Sequence, residues 1–208
     1  MTPAELLIPV SSSLDEETAR AEVYGLLAAL YYAAPTQLLY DKLCVAATEA
    51  PAAGAVLQSS WSELVAAARG QSLAEITREF DALFGGVSRP EVYLFGSHYL
   101  SGFLNEKPLA ALRSDLAGLG LARDDAMSET EDHVAYLCEV MRYLIAGDDV
   151  AVANLKRQRE FFSRHLRPWL PQMCEALAAH PKARFYRALA AFTQAFVSVE
   201  SQGFDMLG

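Results

Sequence analysis

The stretch from Ser128 to Gly147, SETEDHVAYLCEVMRYLIAG, decides how the rest of the chain is read. Its opening, Ser128-Glu129-Thr130-Glu131, has the form of a capping box: a hydroxyl accepts from a free backbone N–H, and a carboxylate three residues on reaches back to the cap. Behind it Val134, Leu137, Cys138, Met141, Leu144 and Ile145 recur at the spacing of one buried helix face, and Gly147 supplies a C-terminal stop. The spacing predicts an amphipathic helix that starts at the box and ends at the glycine.

The same grammar repeats on both sides of this stretch. Ser13-Leu14-Asp15-Glu16 opens a helix whose apolar stripe is Val23, Leu26, Leu27, Leu30 and Tyr31, with a stop near Pro35. Ser72-Leu73-Ala74-Glu75 opens another that ends at Gly85-Gly86. Asp148 is placed to cap a helix from about Asp149 to Arg167, and Pro168 breaks it there. Further helices are predicted at roughly 37–50, 54–69, 108–118, 169–180 and 182–201, the last with Phe185, Leu189, Phe192, Phe196 and Val199 inward. Sustained alternation between turn signals is missing, as is any repeat. The expected fold is all-α: one domain over residues 1–208, an irregular bundle of about eight or nine helices.

Composition agrees. Of the 208 residues, 52% are hydrophobic, with Ala and Leu ahead of Val and Ile, which favours helix over strand. A formal net charge of −9 gives no electrostatic reason to approach nucleic acid, whose binding needs a basic face, and suits a basic peptide or protein instead. Cys44, Cys138 and Cys174 form no CxxC pair, so they read as buried small hydrophobes in a reducing compartment. No secretory signal is legible at residues 1–10, and the uncharged run Val23 to Pro35 is shorter than the roughly 20 residues a spanning helix needs. The expectation is a cytoplasmic protein without direct membrane insertion.

Two segments break the helical pattern, Gly85 to Lys107 and Leu119 to Met127, and connecting segments are where function concentrates. Asp124, Asp125, Glu129, Glu131 and Asp132 crowd toward His133. One reading is stabilisation of a helix start by the dipole. The other is a receptor for arginine, whose guanidinium forks onto a carboxylate through two parallel hydrogen bonds that lysine cannot reproduce. Phe84, Tyr93, Phe95, Tyr99 and Phe103 are candidates for the wall of an apolar peptide groove, or for ordinary core packing.

Catalysis is disfavoured, because His133 beside Asp132 has no Ser or Cys nucleophile in a recognised local motif. A metal is disfavoured too: adjacent Glu-Asp-His side chains diverge on a helix, there is no HExxH, and the other histidines are His98, His165 and His180. Neither GxxxxGK[ST] nor a strand-linked GxGxxG occurs, so no nucleotide site and no cofactor of the chain's own is expected.

Three patches resemble one family, the TorD/DmsD family of cytoplasmic molybdoenzyme chaperones. Glu79-Phe80-Asp81-Ala82-Leu83-Phe84 with Pro90 and Tyr93 is similar to the family's E-[YF]-x-x-L-F run and downstream element. Glu131-Asp132-His133, continuing through Glu139 and Met141, resembles its acidic helix start. Gln158, Phe161, His165, Leu166 and Trp169 match its Q-x-x-F-x-x-x-H-[LI]-x-x-W signature, and Phe185-Tyr186 follow. Arg20, Tyr24, Leu27 and Tyr31 also fit, so the resemblance covers nearly the whole chain. Relatives often carry proline where Thr130 stands.

The resemblance implies a helical chaperone that is not an enzyme. Its expected partner is the subunit of a molybdopterin-containing oxidoreductase, which it binds through an N-terminal, twin-arginine-type signal until the cofactor is inserted. It implies Asp132 and His133 as peptide-site residues, with Glu129 and Glu131 beside them, Phe84, Pro90 and Tyr93 as groove walls and Gly102 on the same loop. Gln158, Phe161, His165 and Trp169 are expected to organise packing. The run Tyr99-Leu100-Ser101-Gly102, with Lys107 to Leu116, looks like the subset associated with formate dehydrogenases. The alternatives are a helical dimerisation module that exchanges helices between two copies, and a small hydrolase built on His133.

Overall fold

A computed structural model describes residues 16–48, 55–85, 89–102, 104, 107–124 and 128–206. Ten helices run in chain order: α1 Glu16–Tyr32, α2 Gln37–Val45, α3 Ala55–Arg69, α4 Leu73–Leu83, α5 Gly96–Ser101, α6 Lys107–Gly118, α7 Val134–Ala146, α8 Leu155–His165, α9 Leu170–Ala179 and α10 Phe185–Met206. Among the described residues there is no β-strand, only an isolated antiparallel bridge between Phe95 and His133. None of these helices is long and apolar enough to cross a membrane.

The two best-marked stripes pack on each other. α1 lies along α7, burying Val23, Leu26, Leu27, Leu30 and Tyr31 against Val134, Leu137, Cys138, Met141 and Leu144. α10 packs on α3 and α9, α8 on α7, α2 on α3 and α5 on α6. Cys138 and Cys174 are buried, and Cys44 is partly so. Phe185, Leu189, Phe192 and Phe196 of α10 point inward as predicted, but Val199 is only half-buried and Val197 takes the interior position. The box at Ser72 forms as read: its hydroxyl accepts from Glu75 N and the Glu75 side chain reaches back to Ser72 N. The box at Ser13 begins outside the described residues, and so do Gly86, Phe103 and Asp125.

Three expectations are corrected. The bundle has ten helices among the described residues rather than eight or nine, because α5 lies in a segment that reads as loop. α7 starts at Val134, not at the Ser128 box: its N-cap is His133, whose Nδ1 accepts from Ala135 N at 3.2 Å. Glu131, the carboxylate that would have closed the box, is held by Arg113 instead. α8 starts at Leu155 with Asn154 as N-cap, because Asp149 folds 149–153 into a separate turn, accepting from Val152 N and Ala153 N on its carbonyl and from Ala151 N on its side chain.

Candidate functional site

The acidic segment reaches α7 through partners distant in sequence. Asp132 is 3% exposed, and both its carboxylate oxygens are occupied: one accepts from Ser97 N at 2.9 Å, the other from the Thr130 hydroxyl at 2.6 Å. Its carbonyl accepts from Gly96 N, while Val134 N donates to Leu94 O, so residues 94–96 are stitched to 132–134. Asp132 thus supplies from 35 residues away the acceptor that the first turn of α5 lacks, since Phe95 caps it with no side-chain bond. Thr130 fixes this corner through its hydroxyl, and its carbonyl accepts from His133 N.

His133 is 5% exposed. Burial pushes its imidazole down to about 4, only partly opposed by the neighbouring Asp132 charge, so the ring is neutral at pH 7. Because Nδ1 accepts from Ala135 N, the proton of the neutral ring sits on Nε2. Its ring meets Phe95 edge-on at 5.0 Å, Tyr136 at 5.8 Å and Tyr32 at 6.5 Å. Tyr32 is 48% exposed and carries this aromatic group to the surface.

Glu131, 8% exposed, accepts both arms of the Arg113 guanidinium, Nε and one terminal nitrogen each at 2.9 Å. That fork holds the Glu131 carboxyl below the usual carboxylate range. Glu129 is half-buried and Asp124 exposed. The segment therefore joins carboxylates to a half-open aromatic group, and one of those carboxylates already grips a guanidinium bidentately.

The other predicted residues fall into separate groups. Tyr93 stacks on His98 at 4.0 Å and its carbonyl accepts from the Tyr99 hydroxyl. Phe84 packs on Phe80 and Tyr186, and Pro90 is half-buried. Gly102, exposed with φ 78°, ends α5 in the left-handed conformation that glycine adopts without strain. Gln158 bridges Arg20 and the Leu144 carbonyl. Phe161 lies 4.9 Å from the ring of His165, which bonds Asp115 at 2.7 Å. Trp169 is fully buried, donates to His165 O and stacks on Tyr99.

Sequence reasoning missed Tyr32, Tyr136 and Arg113 as members of the site, and it missed what Glu79 does. Glu79 accepts from the backbone N–H groups of Arg184, Phe185 and Tyr186 and from the Gln71 amide, so it caps α10 from α4. Its invisible signal was the pairing of one buried acid with a helix start over 100 positions on.

A cleft of about 390 Å³ opens between α6 and α8, lined by Ser114, Asp115, Leu119, Arg157, Glu160, Arg164 and His165. Its charges are matched, Arg164 to Asp115 and Arg157 to Glu160, and His165, held below its ordinary value chiefly by burial, adds a hydrogen bond to Asp115 rather than a charge, which leaves no surplus to draw a ligand. Among the described residues no group of His, Cys, Asp and Glu is placed to hold a metal ion.

Comparison with known proteins bears on the same residues. Residues 50–175 match the family described as nitrate reductase delta subunit. The chain is similar to the chaperone protein TorD of Vibrio cholerae serotype O1, 27% identical over 146 residues, which are 67% of this chain and 66% of that protein. It is also similar to the chaperone protein TorD of Vibrio parahaemolyticus serotype O3:K6, 24% identical over 141 residues, 64% of this chain and 66% of that one. The match thus spans just under two thirds of the length of these relatives, which carry the names of chaperones rather than enzymes. The match covers more than half of the chain and includes the acidic corner, α7 and the Gln158 to Trp169 signature, and on it the chain belongs to the nitrate reductase delta subunit family, alongside the TorD chaperones.

Proposed function

We propose that this protein is a cytoplasmic chaperone that binds the N-terminal, twin-arginine-type signal of a molybdopterin oxidoreductase subunit and keeps that subunit from export or assembly until its cofactor is in place. The observation that carries the reading is the corner at 129–136, where Glu129 and Glu131 lie beside the half-open ring group of Tyr32, Phe95, His133 and Tyr136. Carboxylates recognise a guanidinium by forked, charge-assisted hydrogen bonds, and aromatic faces accept the same planar cation by stacking. The net charge of −9 favours approach of a basic segment.

In this reading Asp132 and His133 act from beneath, holding α5 and α7 in register, while Glu131, Glu129 and Tyr32 meet the peptide. Leu100 and Leu104, both more than 40% exposed, offer apolar surface for the residues that follow the arginines. Phe84, Pro90, Tyr93 and Gly102 extend the contact along 84–102. The likeness of Tyr99 to Gly102 and Lys107 to Leu116 to one subset of relatives makes a formate dehydrogenase subunit the first client to test. Pairing of two copies by helix exchange is the second arrangement, and light scattering across a concentration series decides it.

The test is calorimetric titration with a synthetic signal peptide bearing paired arginines, against the same peptide with paired lysines. Binding of the arginine peptide at least tenfold tighter is the outcome expected if a bidentate seat reads the guanidinium. Equal affinities for the two peptides, or none for either, would sink the reading.

A further inference from the structure

Resting on the peptide-binding reading, we infer that Glu131 is an arginine seat occupied in the free protein by Arg113, and that an incoming guanidinium takes the seat by displacing this resident side chain. The two partners differ sharply in environment. The Glu131 side chain is 9% exposed, whereas that of Arg113 is 51% exposed, projecting from an exposed position of α6. The carboxylate is therefore committed to the interior and needs a cation. The arginine is not committed: it can turn into water at little cost to itself, provided that another cation takes its place on the Glu131 carboxylate.

The fork itself is the geometry a foreign arginine would reproduce, with Nε on one carboxylate oxygen and a terminal nitrogen on the other, both at 2.9 Å. Exchange of one guanidinium for another conserves both hydrogen bonds and the charge of the pair, so the step is close to neutral by itself. Affinity then comes from what surrounds the seat. Nearby in the chain and the fold, α5, which packs on α6, exposes Leu100, and Tyr136 of α7 stands 5.8 Å from the exposed Tyr32. A lysine cannot complete such an exchange, because an ammonium replaces a two-point contact with a point charge.

The resident arginine acts as a built-in competitor. It lowers apparent affinity by the fraction of molecules in which the seat is taken, and so raises the demand placed on the rest of the client segment. The device would favour peptides that bring apolar neighbours with their arginines over any stray basic chain.

Two measurements test the exchange, and they fail separately from the reading on which it rests. In calorimetry with the paired-arginine peptide, Arg113→Ala should bind about tenfold more tightly than wild type, the gain expected if the resident fills the seat in nine molecules of ten. Arg113→Lys, which keeps a cation near Glu131 and supports the fold if the alanine variant misfolds, should gain by a smaller factor. Glu131→Gln should lose affinity by about tenfold or more. If the peptide binds wild type but neither Arg113 variant binds it more tightly, the exchange is wrong and the pair is purely structural.

The second measurement needs no client. Millimolar argininamide should raise the melting temperature of Arg113→Ala more than lysinamide does, and should do nothing comparable for Arg113→Ala/Glu131→Gln. If the peptide binds no variant, the signal-binding reading falls, and the argininamide result alone decides: selective rescue upholds a guanidinium seat at Glu131, and its absence overturns it.

Discussion

His133 shows how a residue that looks chemical in the sequence becomes architectural in the fold. Its ordinary value near 6.5 is pushed down to about 4 by burial, so the unfolded chain binds a proton at this position in a range where the folded chain does not. Stability contributed here is complete above the unfolded value and is lost as pH falls from about 6.5 toward 4, by up to about 3 kcal/mol for a shift of this size. His165 is lowered as well, chiefly by burial, and titrates in the same direction. Urea melts from pH 7.5 to 4.5 should therefore show falling stability. His133→Asn, which keeps a capping side chain and removes the titration, should flatten part of that slope; an unchanged slope would assign it to other groups. The sequence displayed the acid–histidine pair plainly, but its role was illegible, because burial and the Nδ1 bond to Ala135 depend on where α1 and residue 95 come to rest.

Among elements, α5 and α10 are the ones that other parts of the chain hold in place. α5 begins without a side-chain cap of its own, and both helices receive a carboxylate from afar, Asp132 for α5 and Glu79 for α10. Replacing Glu79 by Ala strands three backbone N–H groups at the start of a 22-residue helix and the Gln71 amide, a loss of roughly 3 kcal/mol on the scale of hydrogen bonds to charged groups. Circular dichroism of the variant at low urea should keep near-native helicity, and its midpoint should drop. A change under about 0.5 kcal/mol, the range of a neutral surface substitution, would refute the capping role. Capping boxes and stripes were readable because their parts lie within a few residues of each other. Thus the Ser72 box formed as written, whereas the Ser128 box gave way once Glu131 found Arg113.

At the scale of the whole molecule, the first and last described helices are clasped by one ion pair, its carboxylate buried and its guanidinium partly so. Arg20 of α1 meets Glu200 of α10 at 2.7 and 2.9 Å; the Tyr24 hydroxyl donates to the same carboxylate, and Gln158 carries the network on to α8 and the Leu144 carbonyl of α7. Removing one partner leaves the other charged and enclosed, so Glu200→Ala should cost about 3–5 kcal/mol, whereas the joint change Arg20→Met and Glu200→Leu should recover more than half of it. Equilibrium unfolding of the single and double variants measures both; additive losses would deny the coupling. The sequence by itself determined that the chain is helical, which faces are apolar, where α4 is capped and that the chain has the motifs of a TorD-type chaperone. Those features rest on periodicity and on contacts between near neighbours, which any window of the chain displays. Only the tertiary structure decided that α5 exists, that α7 begins at Val134, that Glu79 caps α10, and that Glu131 faces a guanidinium. In each of these a buried polar group must find a partner, and the choice among distant candidates is made by packing, where the penalty for an unpaired charge outweighs any local preference.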